Sequence, residues 1–257
     1  MMNTLDAVEQ GDSHRKTVIV GGASGIGLTV ARLARARGAD VAVIDLGASM
    51  PESASGLVDV EYQQADVLDP ETLVRAFGEI SRGGAESEVG AAHIGSIFVS
   101  AGITLPTPID QVTMEAAGRC LLINLLGSVN TIQASLEHLG DGASIVLAAS
   151  AAAYTGGGYV GGSVYGASKA GVIGLTRGAA RELAGRGVRV NCVAPGATAT
   201  SMVGEDPEVV ERLASKALLN RLATPEDIAE GVLYLWSKAA GYITGATLDI
   251  NGGSHLG

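Results

Sequence analysis

The chain has 257 residues, 47% of them apolar and 17% charged, with a formal net charge of -10 at pH 7. That content is that of a compact globule with a core to bury rather than of a disordered chain, and the negative charge argues against nucleic acid or an anionic membrane surface as partner. The opening "MMNTLDAVEQGDSHRK" has no apolar signal-peptide core, and no stretch supplies the roughly 20 uninterrupted apolar residues of a membrane span, so a soluble, cytoplasmic protein is expected.

Residues 1–14 read as a loose extension and 15–257 as one domain, with a cofactor half over about 15–105 and a catalytic and substrate half over about 106–257. "KTVIVGG" (16–22) reads as a strand and "IGLTVARLARARGA" (26–39) as an amphipathic helix. The strands "DVAVIDL" (40–46) and "LVDVEYQQADV" (57–67), the helix "PETLVRAFGEIS" (70–81) and the strand "IGSIFVSAG" (94–102) follow. A long helix over 113–139, a strand "ASIVLAAS" (143–150), a helix over 163–184 and the strands "VRVNCVAP" (188–195) and "ATLDING" (246–252) complete the series. Continuously apolar runs are those of strands covered on both faces. Seven such strands with intervening helices predict an α/β, doubly wound, parallel sheet with helices on both faces. "TGGGYVGG" (155–162) is expected to be a loop, because so many glycines weaken a helix or strand. Residues 200–224 form a further segment of mixed charge.

The two cysteines, Cys120 and Cys192, are far apart and form no CxxC pair, and the four histidines have no metal-ligand spacing. Neither a disulfide framework nor a metal site is expected. Gly21, Gly25 and Gly27 lie between an apolar strand and an amphipathic helix, with Ser24 and Ile26 among them. Glycines there let the backbone turn tightly and approach a pyrophosphate, whose charge the free N–H groups of the helix start favour. Asp45 ends the next strand, where a carboxylate can accept hydrogen bonds from a ribose and would repel a 2′-phosphate. With Ser24 and Leu46 uncharged, NAD is favoured over NADP.

The glycine loop, "INLLG" (123–127), "YGASK" (165–169) and "NCVAPG" (191–196) together resemble the short-chain dehydrogenase/reductase family, from about Lys16 to Gly253. The resemblance implies a Rossmann-type fold and an NAD-dependent oxidoreductase that moves a hydride between the nicotinamide and a secondary alcohol or ketone. It also implies a homotetramer packed through the two long helices, with a dimer as the alternative, and, by position, a cap over the substrate at residues 200–224. Asp66 and Val67 match the positions flanking the adenine, and Pro195, Gly196, Thr198 and Thr200 those at the nicotinamide end. There are departures: Val20 replaces a threonine and Val99-Ser100 replaces a pair of asparagines, while Ala101 and Gly102 are kept.

Tyr165 and Lys169, four residues apart, share one helix face. A free tyrosine titrates at about 10. An ammonium about 4 Å away at an effective dielectric near 20 contributes about 4 kcal/mol, enough to bring the phenol toward neutral pH. Tyr165 is therefore the expected general base for alcohol oxidation, and Lys169, by the resemblance, also holds the nicotinamide ribose. Ser150 stands at a strand end where its hydroxyl can donate to the substrate oxygen. It lies 15 residues before Tyr165 rather than the family's 13, because of two extra residues in "TGGGYVGG". Asn124, in the middle of an apolar helix, is by the same resemblance a kink holding a water-borne proton relay from Lys169. Tyr154 and Tyr159 either line the pocket or pack as ordinary loop residues; Arg181 and Arg189 read as solvated or structural. The competing readings are a catalytically silent NAD-binding sensor or scaffold and, less favoured for lack of a second substrate domain, an epimerase or dehydratase.

Overall fold

Val18, Ile19, Val20 and the run Val41–Ile44 are buried to the last few square ångströms, as β-branched strands must be when helices cover both faces of their sheet. The computed structural model describes residues 15–54, 57, 60–82 and 93–256; the extension expected over 1–14 lies outside them. The elements run β1 (Arg15–Val20), α1 (Gly25–Ala36), β2 (Asp40–Asp45), β3 (Glu61–Gln64), α2 (Pro70–Arg82), β4 (His93–Val99), α3 (Met114–Leu121), a π-helical turn (Leu122–Leu126) and α4 (Gly127–Ser135). They continue with β5 (Leu139–Ala148), α5 (Ala152–Thr155), α6 (Gly158–Leu183), β6 (Arg189–Pro195), α7 (Pro207–Ala214), α8 (Pro225–Trp236) and β7 (Thr247–Ile250).

All pairings are parallel, in the order β3-β2-β1-β4-β5-β6-β7. The order reverses at β1, so the carboxyl ends of β1 and β4 diverge and open a crevice there, the place where such sheets bind ligands. One apolar cluster joins a sheet face to α2, α4 and α6 through Phe77, Ile132 and Val172. The other joins the opposite face to α1 and α8 through Val30, Phe98 and Ile228. Helix α8 starts at a reciprocal cap, the Thr224 hydroxyl accepting from the Asp227 N–H and the Asp227 carboxylate from the Thr224 N–H. It ends on the molecule's sole tryptophan, whose indole Nε1 donates to the Ile97 carbonyl of β4 at 3.2 Å. Among the described residues no helix is long and apolar enough to cross a membrane.

Three sequence expectations change. The helix expected over 113–139 is broken by the π-helical turn that contains Asn124. The strand expected to end at Ser150 ends at Ala148 and starts earlier, at Leu139. The glycine run is no simple loop: α5 closes within it, Gly156 and Gly157 turn with φ of 78° and 104°, and α6 begins at Gly158, kinked at Gly162 (φ 64°, ψ 173°). Close packing overrides propensity, since a Cβ on Gly166 would lie 2.8 Å from the Ala152 carbonyl and the Gly157 nitrogen. Past the kink the regular helix resumes at Ser163, the predicted start.

Candidate active site

The glycine loop is held by backbone contacts that leave no space for a side chain at Gly21 or Gly27. The Gly21 N–H donates to Ile44 O at 2.8 Å, while Ser100 and Ala101 donate to Val20 O at 2.8 and 3.1 Å. These bonds join the ends of β1 and β4 where the family's asparagines are absent. A Cβ on Gly21 (φ 78°) would fall 2.5 Å from the Ala101 nitrogen. Asp45 at the end of β2 is fixed by the loop: its Oδ2 accepts from the Ala23 N–H at 2.9 Å and its Oδ1 from the Leu46 N–H at 2.8 Å. Leu46 beyond it is 64% exposed. Asp66 accepts from the Leu68 N–H, and the Val67 carbonyl accepts from Asn130 Nδ2.

Across the crevice, α6 carries Tyr165 and Lys169. Lys169 is 5% exposed, and its Nζ donates to the Ala148 carbonyl at the end of β5 at 2.7 Å. Asn124 is fully buried. Its Oδ1 accepts from the Ile103 N–H at 2.8 Å, and its Nδ2 donates to Ile103 O at 3.0 Å and to Ser168 Oγ at 2.9 Å. Ser168 in turn donates to the Tyr165 carbonyl at 2.7 Å. The amide therefore ties the loop after β4 to the turn of α6 that bears the tyrosine. The irregular π-helical turn is what lets a polar side chain reach both, and no buried polar atom is left unsatisfied among the described residues. Ser150 Oγ accepts from the Ala152 N–H at 3.1 Å and is hydrogen-bonded to the Tyr165 hydroxyl.

The electrostatics differ from the sequence expectation. Burial pushes the Tyr165 phenol up, the Ser150 hydrogen bond pulls it down, and Cys120 pushes it up. The Lys169 Nζ lies 5.8 Å from the ring centroid and is bonded to the Ala148 carbonyl. Lys169 is itself pulled down from 10.5 to about 8, chiefly by burial. Because the folded-state value is depressed, the native state carries the cost of a buried charge below pH 8 and loses that cost as pH rises toward 10.5. At about 1.4 kcal/mol per unit, the stability of the wild type relative to Lys169→Met should rise by up to about 3 kcal/mol over that window. Denaturant midpoints of both proteins at pH 7.5 and pH 10 read this, and a constant difference would refute it.

A cavity of about 820 Å³ runs from Asp45, Leu46 and Asp66 at one end, under the glycine loop, to Ser150, Tyr165 and Lys169. Ser24, Gly25, Ile26, Val67, Ser100, Ala101, Gly102, Pro195, Gly196, Thr198 and Thr200 also border it, so most of the expected cofactor residues converge. Two expected residues stand behind the wall. Gly27 packs under the loop, where a Cβ would meet the Gly21 carbonyl at 2.1 Å, and Asn124 holds Ser168, between Tyr165 and Lys169 on α6, from below. The structure adds residues that no motif marked, Thr104, Arg119, Asn251 and Ser254; Leu213 and Lys216, within the segment 200–224, complete the far wall. That wall forms by long-range contact, the Leu219 N–H donating to Gly252 O at 3.1 Å. Tyr154 does not border the cavity; its ring stacks on His255 at 4.4 Å. The Tyr159 side chain lies outside the described residues. Arg189 is structural, its guanidinium donating to the carbonyls of Leu235, Trp236 and Ile243. Both cysteines are buried, and no metal-binding group occurs among the described residues.

A strand-end glycine cradle, an acidic anchor at β2 and a Ser-Tyr-Lys set facing one cavity is the arrangement on which comparison with other proteins turns. A family model described as enoyl-(acyl carrier protein) reductase matches residues 21–255. The chain is a short-chain dehydrogenase/reductase. This short-chain dehydrogenase/reductase is 34% identical over 250 residues to cis-4-hydroxycyclohexanecarboxylate dehydrogenase of Sinomonas cyclohexanicum, covering 94% of this chain and 96% of that one. It is 34% identical over 248 residues to (3R)-3-hydroxyacyl-CoA dehydrogenase of Mus musculus, covering 92% and 94%. A crystal structure titled short-chain dehydrogenase/reductase SDR:glucose/ribitol dehydrogenase, from Brucella melitensis, superposes with a TM-score of 0.85 at 29% identity, covering 95% of this chain and 98% of that one. The chain is thus an oxidoreductase of a family that uses nicotinamide cofactors and acts on small molecules.

Proposed function

We propose that the protein is an NAD-dependent dehydrogenase that interconverts a secondary alcohol and its ketone. The observation that carries this reading is the convergence of Ser150, Tyr165 and Lys169 on the cavity that the glycine loop and Asp45 enter from the other end. The cavity fits the cofactor: Gly21 and Gly25 put no Cβ into it, and Asp45 is presented at its rim by two backbone amides. Asp45 and Leu46 would hold the adenosine ribose, where a carboxylate beside an apolar side chain disfavours the extra phosphate of NADP. Gly21, Ser24, Gly25 and Ile26 would hold the pyrophosphate, and Pro195, Gly196, Thr198 and Thr200 the nicotinamide end. When bound, the nicotinamide supplies the hydride acceptor in oxidation and the donor in reduction.

The chain's own residues handle the proton. Ser150 orients the Tyr165 hydroxyl and offers a donor to the substrate oxygen. Tyr165 takes the alcohol proton at its Oη and returns it in the reverse direction. Lys169 is anchored on Ala148, its Nζ 3.3 Å from the position a Cβ on Gly102 would take, and would hold the nicotinamide ribose there. Asn124 is a positioning residue, holding Ile103 and Ser168 so that α6 keeps this register. The names of two relatives specify hydroxyl-bearing substrates, a hydroxycyclohexanecarboxylate and a 3-hydroxyacyl thioester of CoA, which favours turnover over a silent sensor module. A homotetramer through α3, α4 and α6 and a cytoplasmic location complete the reading.

The test is reduction of NAD and of NADP with a panel of cyclic, aryl and aliphatic secondary alcohols. NAD should be used at least tenfold better, and Asp45→Ala with Leu46→Arg should invert the preference. Binding of NAD without turnover of any alcohol would favour the sensor, and unchanged selectivity in the double variant would place ribose recognition elsewhere.

A further inference from the structure

The cavity is electrically asymmetric although the chain as a whole is acidic. Its adenosine end carries Asp45 and Asp66. Its opposite end is built by the segment after α7 and by the residues after β7. These two segments abut: a Cβ on Gly252 would touch that of Ala217 at 3.2 Å, and one on Gly253 would meet the Leu218 side chain at 2.8 Å. By contrast Thr200 is the residue that faces the glycine loop, 3.6 Å from where a Gly25 Cβ would stand. Lys216, next to Ala217, borders the cavity on the wall that these two segments form.

The charges at that wall are Lys216, Arg221 and Asp227. Arg221 and Asp227 cancel one another through a two-pronged ion pair at 2.5 and 3.1 Å, and the pair pulls the Asp227 carboxyl down to about 2. Lys216 is exposed and enters no ion pair among the described residues. The remaining far-wall surface is apolar at Leu213 and Leu219, with a hydroxyl at Ser254. Elsewhere the cavity's cations are Lys169, bonded to the Ala148 carbonyl, and Arg119 on α3; at this wall, Lys216 over an apolar floor suits a molecule that is hydrocarbon in the middle and anionic at its end.

Building on the dehydrogenase reading above, we infer that the substrate is a hydroxy acid or keto acid whose carboxylate is held by Lys216 while its hydroxyl or carbonyl meets Tyr165. Lys216 is then a specificity-determining residue. It acts where the overall charge of -10 would otherwise repel an anion.

The experiment compares 4-oxocyclohexanecarboxylate with its methyl ester, reduced by NADH in the full-length protein, wild type and Lys216→Gln, with NADH affinity read separately by fluorescence. Wild type should prefer the acid in kcat/KM. Lys216→Gln should lower the acid-to-ester ratio about tenfold, through KM for the acid, and Lys216→Arg should restore most of it. Tenfold is about 1.4 kcal/mol, the low end for a hydrogen bond to a charged group. Added salt should erode the wild-type preference, since the cation is solvent-accessible. Reduction of the ester as fast as the acid by wild type, or a ratio untouched by Lys216→Gln, would overturn the carboxylate assignment and leave the dehydrogenase reading standing. Undiminished NADH binding with neither compound reduced would overturn the assignment for this ketone scaffold, and the alcohol panel then decides whether dehydrogenase activity itself survives. A loss of NADH affinity in Lys216→Gln equal to the loss on the acid would overturn it in favour of cofactor binding.

Discussion

Tyr165→Phe should bind NADH with near wild-type affinity and lose turnover by a factor of about 10² to 10⁴, the range that positioned acid–base groups supply. The substitution keeps the ring, which is half-buried beside Gly161, and removes only the oxygen that Ser150 bonds. Nothing else in the cavity can take over. Ser150 has a far higher pKa and no base of its own, Lys169 is committed to Ala148 O, and neither Cys120 nor Cys192 borders the cavity. Steady-state rates in both directions, with cofactor binding measured on the same preparations, decide the matter. A variant within tenfold of wild type would mean that the proton leaves by another route. In wild type, oxidation should accelerate with rising pH, because burial holds the phenol in its protonated form and the working base is the phenolate.

Gly27→Ala should do nearly as much damage from outside the cavity. In an ordinary helix interior the exchange stabilises by up to about 1 kcal/mol. Here the new Cβ would sit 2.1 Å from the Gly21 carbonyl and 3.1 Å from the Gly22 Cα, so loop and helix must part. The loop has little freedom to move, being bonded to Ile44 on one side and carrying Ala23 on Asp45 on the other. Overpacking of this kind costs about 1–3 kcal/mol, which at about 2–4 °C per kcal/mol is a fall of about 2–12 °C in Tm, accompanied by loss of cofactor affinity. Gly118→Ala in α3 is the opposite control, since nothing lies within 4 Å of its Cβ and Tm should rise slightly. Equal Tm values for the two variants would refute the packing argument.

The legible parts of this molecule were those with local or repeated signals. Apolar runs such as Val41–Ile44 mark strands buried on both sides, and the glycine spacing, the i, i+4 pair Tyr165 and Lys169 and the strand-end acid Asp45 each carry their geometry in a few adjacent residues. What escaped was non-local. The far wall depends on the segment after α7 meeting the chain after β7, through Leu219 and Gly252, and neither has a periodicity that announces the other. The same holds for the stacking of Tyr154 on His255. The glycine run was misread as a loop because propensity counts each glycine as a weakness, whereas Gly166 and Gly157 are what let α5 and α6 touch. The acidity of Tyr165 was misjudged for a related reason: spacing on a helix puts a lysine on the same face but does not say that a carbonyl at the end of β5 will claim its ammonium.

The lone tryptophan gives the molecule a built-in optical reporter. Trp236 is tied by its indole nitrogen to the backbone of the central strand β4 and does not border the cavity. Its emission therefore reads the docking of α8 on the sheet: a red shift on adding denaturant follows the opening of the frame. Quenching by a bound reduced nicotinamide would arise by energy transfer through the sheet, without direct contact. With one donor in the chain, both signals come from a single known position.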